Sequence, residues 1–236
     1  MKFSENLIKA TLVKRYKRFL ADVVLASGEE VTAHCANPGA MLGLKDEGLK
    51  IWLSKSTNPK RKLKYSWELV ELKNGRSTHL VGINTSHPNK LVEEAIMNGT
   101  IKELQNYQSL RREVNYGTNS RIDLLLEDKE KGSCYVEVKN VHLSREKGLA
   151  EFPDSVTDRG KKHLIELSNM VKEGHRSVMV YLIQRSDISN FNLAADIDPA
   201  YAETFEFAKQ NGVEAIAYNC TLTKSMIAVN QRIPFV

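Results

Sequence analysis

Two carboxylates and a lysine stand at a spacing that could hold a divalent cation beside a phosphate group. Residues 135–139 read Tyr-Val-Glu-Val-Lys and alternate polar with apolar side chains, as a half-buried strand does. Glu137 and Lys139 then point to the same side, ~6.6 Å apart along the strand. Asp123 lies on the preceding strand-like run, so pairing of the two strands across a polar turn at 127–133 would place Asp123 beside Glu137.

These residue types suit metal-assisted chemistry on phosphate esters. Carboxylate oxygens are the ligands that Mg²⁺ prefers, and a bound Mg²⁺ polarises a phosphoryl oxygen and lowers the pKa of a bound water. Lys139 could orient that water or stabilise charge on the phosphate. A third acid could come from Glu93 or Glu94, or from Glu113 on the strand ahead. The spacing alone leaves two interpretations, a metal-dependent nuclease site or a structural cluster of ion pairs.

The elements around this cluster change character near residue 85. Residues 1–84 read as five or six short strands separated by turn signals such as Asn37-Pro38-Gly39 and Asn74-Gly75, which is typical of a small barrel or sandwich. The rest reads as a helix over 90–97, a second short helix near 101–107, three strands, a helix over 158–172 and a buried strand at 177–184. A helix opened by Pro199 and two further strands complete it.

Composition and charge narrow the function classes. With 236 residues, 42% of them hydrophobic and 27% charged, the chain is neither disordered nor fibrous, and no apolar stretch is long enough to cross a bilayer. No secretory signal is visible, and three distant cysteines form neither a zinc spacing nor a disulfide framework, so we expect a cytoplasmic protein. Residues 1–84 hold 15 Lys and Arg against 8 Asp and Glu, a net charge of +7, whereas the remainder is at −2. A basic first half favours a polyanionic partner.

Two basic segments are candidates for contact with nucleic acid. Lys14, Arg15, Tyr16, Lys17 and Arg18 interleave four cations with an aromatic ring, which could follow phosphates while Tyr16 stacks on a base. Arg61 and Lys62 follow Asn58-Pro59 and lie in a predicted loop. The alternative for each segment is a solvated basic surface.

Several motifs together resemble one known family. They are Tyr-Lys-Arg-Phe-Leu-Ala-Asp at 16–22, Asn-Pro-Gly-Ala-Met at 37–41, Ser-Arg-Ile-Asp at 120–123, Val-Glu-Val-Lys at 136–139, Glu-Phe-Pro-Asp-Ser-Val-Thr-Asp-Arg-Gly at 151–160 and Lys-His-Leu at 162–164. In these motifs the chain resembles the sugar fermentation stimulation protein A family over nearly its whole length.

The resemblance implies a fold, a site and a biological role. It implies an α/β two-domain protein, with an N-terminal OB-like β-barrel over 1–84 and a C-terminal PD-(D/E)xK nuclease-like α/β domain with a mixed central sheet over 85–236. Carried over residue by residue, the catalytic set is Glu94, Asp123, Glu137 and Lys139, with the three acids as ligands of Mg²⁺ or Mn²⁺ and Glu113 as an accessory acid. Arg159 would contact DNA. The family also implies a role in regulating sugar (maltose) metabolism.

We therefore expect a DNA-binding protein with a metal-dependent phosphodiesterase site, DNA as partner and no membrane, and we leave a homo-oligomer open. The main alternative is a non-catalytic DNA-binding regulator on a nuclease-derived fold. An enzyme acting on a small phosphorylated or sugar substrate is a weaker third option, because the chain has no Gly-rich phosphate cradle.

Overall fold

Six strands with frequent turns build the first part of the structure, a computed structural model that describes residues 1–75, 77–117 and 120–236. The strands are β1 (Ile8–Tyr16), β2 (Leu20–Leu25), β3 (Glu30–His34), β4 (Lys50–Lys55), β5 (Tyr65–Asn74) and β6 (Ser77–Gly82). Their order is β3-β2-β1-β4-β5-β6, and a parallel pairing of β3 with β5 closes the first five into a barrel. The predicted OB-like barrel is confirmed.

Alternating side chains fill the barrel. Leu12, Val23, Ile51, Leu53 and Trp67 are almost completely buried in one core cluster, while their neighbours along each strand face outward. The period of two in these strands places one apolar row inside the barrel and the other row on its outer surface, where Trp52 packs in the cluster that contains Leu91.

A second, six-stranded sheet with three helices forms the rest. Its elements are α1 (Pro88–Met97), β7 (Ser109–Tyr116), β8 (Ser120–Asp128), β9 (Gly132–Val141), α2 (Asp158–Lys172), β12 (Arg176–Ile183), α3 (Pro199–Gln210), β14 (Glu214–Leu222) and β15 (Ile227–Arg232). The strand order is β15-β14-β12-β9-β8-β7, with β9, β12 and β14 parallel and the outer pairs antiparallel. This is the mixed central sheet that the family resemblance implied.

Helices cover both faces of this sheet. Val178, Val180 and Leu182 of β12 pack in the cluster that contains α1, and Met179 and Tyr181 pack on the opposite face with α2 and α3. A strand covered on both faces reads as a continuous apolar run, which is why β12 could be recognised. The helix α2 has its predicted limits, and the Thr157 side chain caps it by accepting the Gly160 N–H at 3.0 Å.

A small sheet was not predicted. It consists of β10 (Leu143–Glu146), β11 (Leu149–Phe152) and β13 (Asn190–Leu193), and its strands have only four residues each. The pairing of β11 with β13 joins residues about 40 positions apart, so no local pattern could have indicated it. The short helix predicted near 101–107 is a single 3-10 turn, Lys102–Leu104.

The barrel and the second sheet share contacts. Trp52 and Leu69 of the barrel belong to the same core cluster as Leu91 of α1, and Gly82 donates its N–H to the carbonyl of Gln184 at 2.8 Å. Because apolar contacts run across it, the division of the chain at residue 84 stays a prediction. Within the described ranges, none of the helices is both long and apolar enough to span a membrane.

Candidate metal and nucleic-acid site

The structure brings Asp123 and Glu137 together where two strands separate. The ladder between β8 and β9 begins at the pair Leu124 and Val136, one residue beyond Asp123. At Asp123 the side chain replaces the backbone, because its Oδ2 accepts the Val138 N–H at 2.8 Å. The carboxylate of Asp123 therefore lies in the gap between the two strands, bonded to the residue that follows Glu137.

The backbone is distorted at the same point. Glu113, which would pair with Asp123 across β7 and β8, has a left-handed φ of 57°, and this pair is absent from the ladder. Ile122 packs with α2 and α3, whereas Leu124 packs with α1. Regular strand alternation would place Ile122 and Leu124 on one face, so their packing on opposite faces shows that the strand loses its alternation at the site.

Glu137 is buried, and only one of its two carboxylate oxygens accepts hydrogen bonds from the described residues. Its Oε1 accepts a hydrogen bond from Lys139 Nζ at 2.8 Å and another from Nδ1 of His163. Arg159 donates Nε–H to Nε2 of His163 at 3.3 Å, and since an arginine only donates, the ring proton of His163 must be on Nδ1. The other oxygen, Oε2, is buried and has no hydrogen-bond partner among the described residues.

Burial and mutual repulsion set the charges of the two acids. Burial, and then the charge of Glu137, raise the pKa of Asp123 to about 6. Burial alone would also raise the pKa of Glu137, but Lys139 and His163 bring it below its ordinary value. Two close carboxylates with one unpaired buried oxygen are a donor set that fits a divalent cation, since the cation would relieve both the repulsion and the missing contact.

Helix α1 supplies an amide to this site. Asn89 donates Nδ2–H to Asp123 Oδ1 at 2.8 Å and to Glu113 Oε1 at 3.2 Å, so Asn89 bridges the two acids. The sequence offered no signal for Asn89 beyond its position immediately before the helix predicted over 90–97, whereas the observed helix includes it. In the described part of the chain, no three side chains of the types His, Cys, Asp and Glu come together as a metal cluster.

The structure does not place Glu94 at the site, and its assignment as a catalytic residue and metal ligand is corrected. Glu94 Oε2 lies 2.6 Å from the amino group of Met1, which itself donates to the carbonyl of Ile227 on β15. The strand β15 is four strands away from β8, ~19 Å across the sheet. Asn89 and Glu94 are five residues apart, about 140° around the helix, so both cannot face the same cavity.

The acids line a cavity that shares two lining residues with a larger cleft. The cavity has a volume of about 240 Å³, and Asp123, Glu137 and Lys139 line it. Arg159 and His163 line both this cavity and the adjoining cleft of about 740 Å³. The cleft is further lined by Lys162 and by Arg121, whose Nε lies 2.8 Å from Glu113 Oε2, so cations contribute much of its lining.

Side chains of the basic run on β1 make ion pairs and hydrogen bonds within the protein that the sequence did not indicate. Lys14 lies 3.5 Å from Asp22 and the Tyr16 hydroxyl donates to the same carboxylate at 3.1 Å. Arg15 donates to the carbonyls of Asn37 and Gly39, at 2.7 and 3.1 Å, and so holds the loop that follows β3.

The other cations predicted to contact nucleic acid differ in exposure and in their hydrogen bonds within the protein. Lys17 and Arg18 are exposed in the β1–β2 turn, and Lys62 is exposed in its loop. Arg61 donates to the Ser66 hydroxyl at 2.8 Å. Arg159 is the member of the set that lies at the acids. Contact of these residues with nucleic acid stays a prediction.

A five-stranded OB barrel, joined to a mixed sheet that presents an aspartate and a Glu-x-Lys pair where two strands diverge, defines a two-domain protein with a PD-(D/E)xK nuclease-like core. Two family models match this chain, the SfsA N-terminal OB domain over residues 13–83 and the sugar fermentation stimulation protein RE domain over residues 86–226. The chain belongs to the sugar fermentation stimulation protein A family.

Relatives match this chain along almost its whole length. A sugar fermentation stimulation protein homolog from Paramagnetospirillum magneticum is 58% identical over 222 residues, which is 94% of this chain and 92% of the relative. Another from Rhodospirillum centenum is 58% identical over 98% of this chain and 97% of the relative. The structure of Pyrococcus furiosus SfsA in complex with Ca²⁺ is 26% identical, with a TM-score of 0.88, and the match covers 100% of this chain and 98% of that one.

Proposed function

We propose that this protein binds DNA and hydrolyses its phosphodiester bonds with the help of Mg²⁺ or Mn²⁺. The observation that carries the proposal is the buried Oε2 of Glu137, which has no partner among the described residues and lies beside an aspartate whose pKa is raised to about 6. A buried anion without a partner is costly, and a cation removes the cost. A pure binding protein has no need to keep such a pair.

Asp123 and Glu137 would hold the cation, with water and phosphate oxygens completing its shell as Mg²⁺ prefers. When bound, the cation would polarise the phosphoryl group and provide an activated water. The relative from Pyrococcus furiosus was solved with Ca²⁺, an ion that takes the same oxygen ligands, and this supports the choice of a hard cation.

The chain's own residues would orient the reactants. Lys139 Nζ bonds to Glu137 and lies 3.2 Å from His163 Nδ1, and the proton directed at neither of them can bind a phosphate oxygen or the attacking water. His163 holds the Glu137 carboxylate through Nδ1–H and so keeps Oε2 directed away from the ring. Arg159 uses Nε on His163 and keeps its terminal NH₂ groups for a phosphate.

The cationic cleft gives the DNA backbone a path to the acids. Its volume of about 740 Å³ and its lining by Arg121, Arg159 and Lys162 suit a sugar–phosphate chain rather than a small apolar ligand. The basic barrel would add sequence-independent affinity through phosphates.

A non-catalytic DNA-binding regulator is the second candidate, and one observation favours it. The helix presents the amide of Asn89 to Asp123 in place of a third acid, so the carboxylates have a neutral partner without any metal. The part in sugar (maltose) metabolism that the family name implies stays a prediction and fits either candidate.

The test is cleavage of supercoiled plasmid and of labelled single- and double-stranded oligonucleotides with Mn²⁺, Mg²⁺ or EDTA. We expect strand breakage only with the metals, lost in Asp123→Ala and in Glu137→Ala. Glu94→Gln is the matched control, since it removes an acid from the same domain away from the site.

The outcomes separate the candidates. DNA binding with a steep salt dependence but no cleavage under any metal would establish the regulator instead. Cleavage that persists in Asp123→Ala, with circular dichroism showing a folded protein, would mean that the reaction occurs elsewhere. Loss of cleavage in Glu94→Gln would show that Glu94 takes part in the reaction despite its contact with the amino terminus.

A further inference from the structure

An exposed phenylalanine stands on the basic side of the barrel. Phe19 is 46% exposed, the largest value among the bulky apolar side chains that the structure describes in residues 1–84. It follows Lys17 and Arg18 in the turn between β1 and β2. Single exposed apolar residues are common on protein surfaces, so exposure alone carries no conclusion.

The backbone holds this side chain outward. Lys17 and Arg18 both have left-handed φ angles, 47° and 63°, which side chains other than glycine adopt at a cost. The Phe19 N–H donates to the carbonyl of Lys17 at 2.7 Å, and the Phe19 carbonyl accepts the Cys35 N–H at 2.8 Å. The strained, hydrogen-bonded turn therefore fixes the backbone of Phe19 before any ligand arrives.

One neighbour supports the ring from behind. The Phe19 and His34 rings are stacked, with centroids 6.4 Å apart and planes at 20°. Burial and the nearby charge of Arg61 lower the pKa of His34, which keeps the imidazole neutral. A flat aromatic pair with an open outer edge and face can receive one more planar group.

The surroundings of the ring select an anionic partner. Lys17 and Arg18 are exposed beside the ring. Arg15 donates Nε–H to the carbonyl of Arg18 at 3.1 Å, so three cations of the run lie at the turn. An aromatic face among exposed cations matches a base attached to a phosphate backbone, and it matches an apolar protein surface poorly.

The turn is also close to the candidate metal site. The Cys35 N–H donates to the carbonyl of Phe19. The next residue, Ala36, accepts the N–H of Thr85 through its carbonyl at 2.9 Å. Thr85 lines the cavity that contains Asp123. Two hydrogen-bonded pairs, each about 5.5 Å between Cα atoms, and one Cα–Cα step of about 3.8 Å separate Phe19 from Thr85, about 15 Å in all. One DNA strand can therefore reach both.

We infer that Phe19 is a stacking site for an unpaired base of the DNA strand whose backbone enters the candidate site. The inference rests on the proposed function and refines its substrate class. Inside a duplex both faces of each base are covered by neighbouring bases, so the ring selects single-stranded or frayed DNA. Tyr16, the residue expected to stack, has its hydroxyl bound to Asp22.

The test measures binding of a fluorescein-labelled 16-residue oligothymidylate by anisotropy, beside an abasic strand of the same length. Phe19→Ala should weaken binding of the oligothymidylate by about 5- to 150-fold, the range for loss of one base–aromatic stack, and leave binding of the abasic strand unchanged. Phe207→Ala is the matched control, because Phe207 is 47% exposed on α3. It should alter neither affinity.

A second variant reports stacking directly. In Phe19→Trp the new indole is the exposed one, since Trp52 and Trp67 are 7% and 0% exposed. Oligothymidylate should quench its fluorescence, the abasic strand should not, and affinity should stay within about threefold of the natural protein.

The possible results are distinguishable. Equal affinity of Phe19→Ala and the natural protein for the oligothymidylate would overturn the stacking site and leave the nuclease proposal intact. Equal weakening towards both strands would also overturn it, because it would show a structural role of the turn. If the natural protein neither bound nor cut DNA, the proposed function and this inference would fall together.

Discussion

Replacing Asp123 by asparagine removes a charge whose energetic effect follows from the structure. Burial and the charge of Glu137 raise the pKa of Asp123 from an ordinary 3.8 to about 6. Between these values the folded protein retains a proton that the unfolded chain has lost. The protein therefore loses stability as the pH rises from about 4 to about 6, and above pH 6 the loss is constant.

The size of this loss comes from the two pKa values. A difference of about 2 pKa units corresponds to roughly 3 kcal/mol at neutral pH. Asp123→Asn removes the charge but also one acceptor, because Oδ1 and Oδ2 now accept from Asn89 and Val138. That change costs about 1 kcal/mol. We expect Asp123→Asn to be less stable than the natural protein by about 1 kcal/mol at pH 4 and more stable by about 2 kcal/mol at pH 8.

The assay is urea unfolding followed by circular dichroism at pH 4 and pH 8, with and without Mg²⁺. At ten times its dissociation constant the metal should stabilise the natural protein at pH 8 by about 1.4 kcal/mol, and it should leave the variant almost unchanged. A difference in stability between the two proteins that is the same at both pH values would refute the reasoning. So would equal stabilisation by Mg²⁺.

Three further changes have defined outcomes. Lys139→Met should lower single-turnover cleavage about 100-fold or more and change DNA affinity less than threefold, since it removes a charge that acts on the reacting phosphate. Arg159→Gln should reduce the slope of log affinity against log salt by about 1, measured by anisotropy, because it removes one phosphate contact. Gly117→Ala should lower the free energy of unfolding by about 1–3 kcal/mol, because the added methyl would meet the Glu166 carboxylate at a left-handed φ of 50°. Gly99→Ala, at φ 82° with no atom within 4 Å, should cost less in the same assay, and an equal loss would contradict the steric argument.

Much of the fold could be read from local patterns. Alternation with a period of two predicted the barrel strands, and a run buried on both faces predicted β12. A Thr cap and a final glycine gave the limits of α2. Each of these signals depends on residues close together in the chain, so it can be evaluated from the sequence alone. The pairing of β11 with β13 in the small sheet had no such signal, because the paired residues lie about 40 positions apart.

For the candidate site, the sequence by itself determined the pair Glu137 and Lys139 and their neighbour Asp123, since strand alternation and adjacency are local properties. Tertiary packing decided the remainder. The rotation of α1 about its axis is set by its apolar contacts, and it turns Asn89 to the acids and Glu94 to the amino terminus. The gap between β8 and β9, which admits the Asp123 carboxylate and leaves Glu137 Oε2 without a partner among the described residues, arises where the ladder ends. Neither the rotation of a helix nor the point at which strands diverge is encoded by a single segment, because both depend on what packs against them.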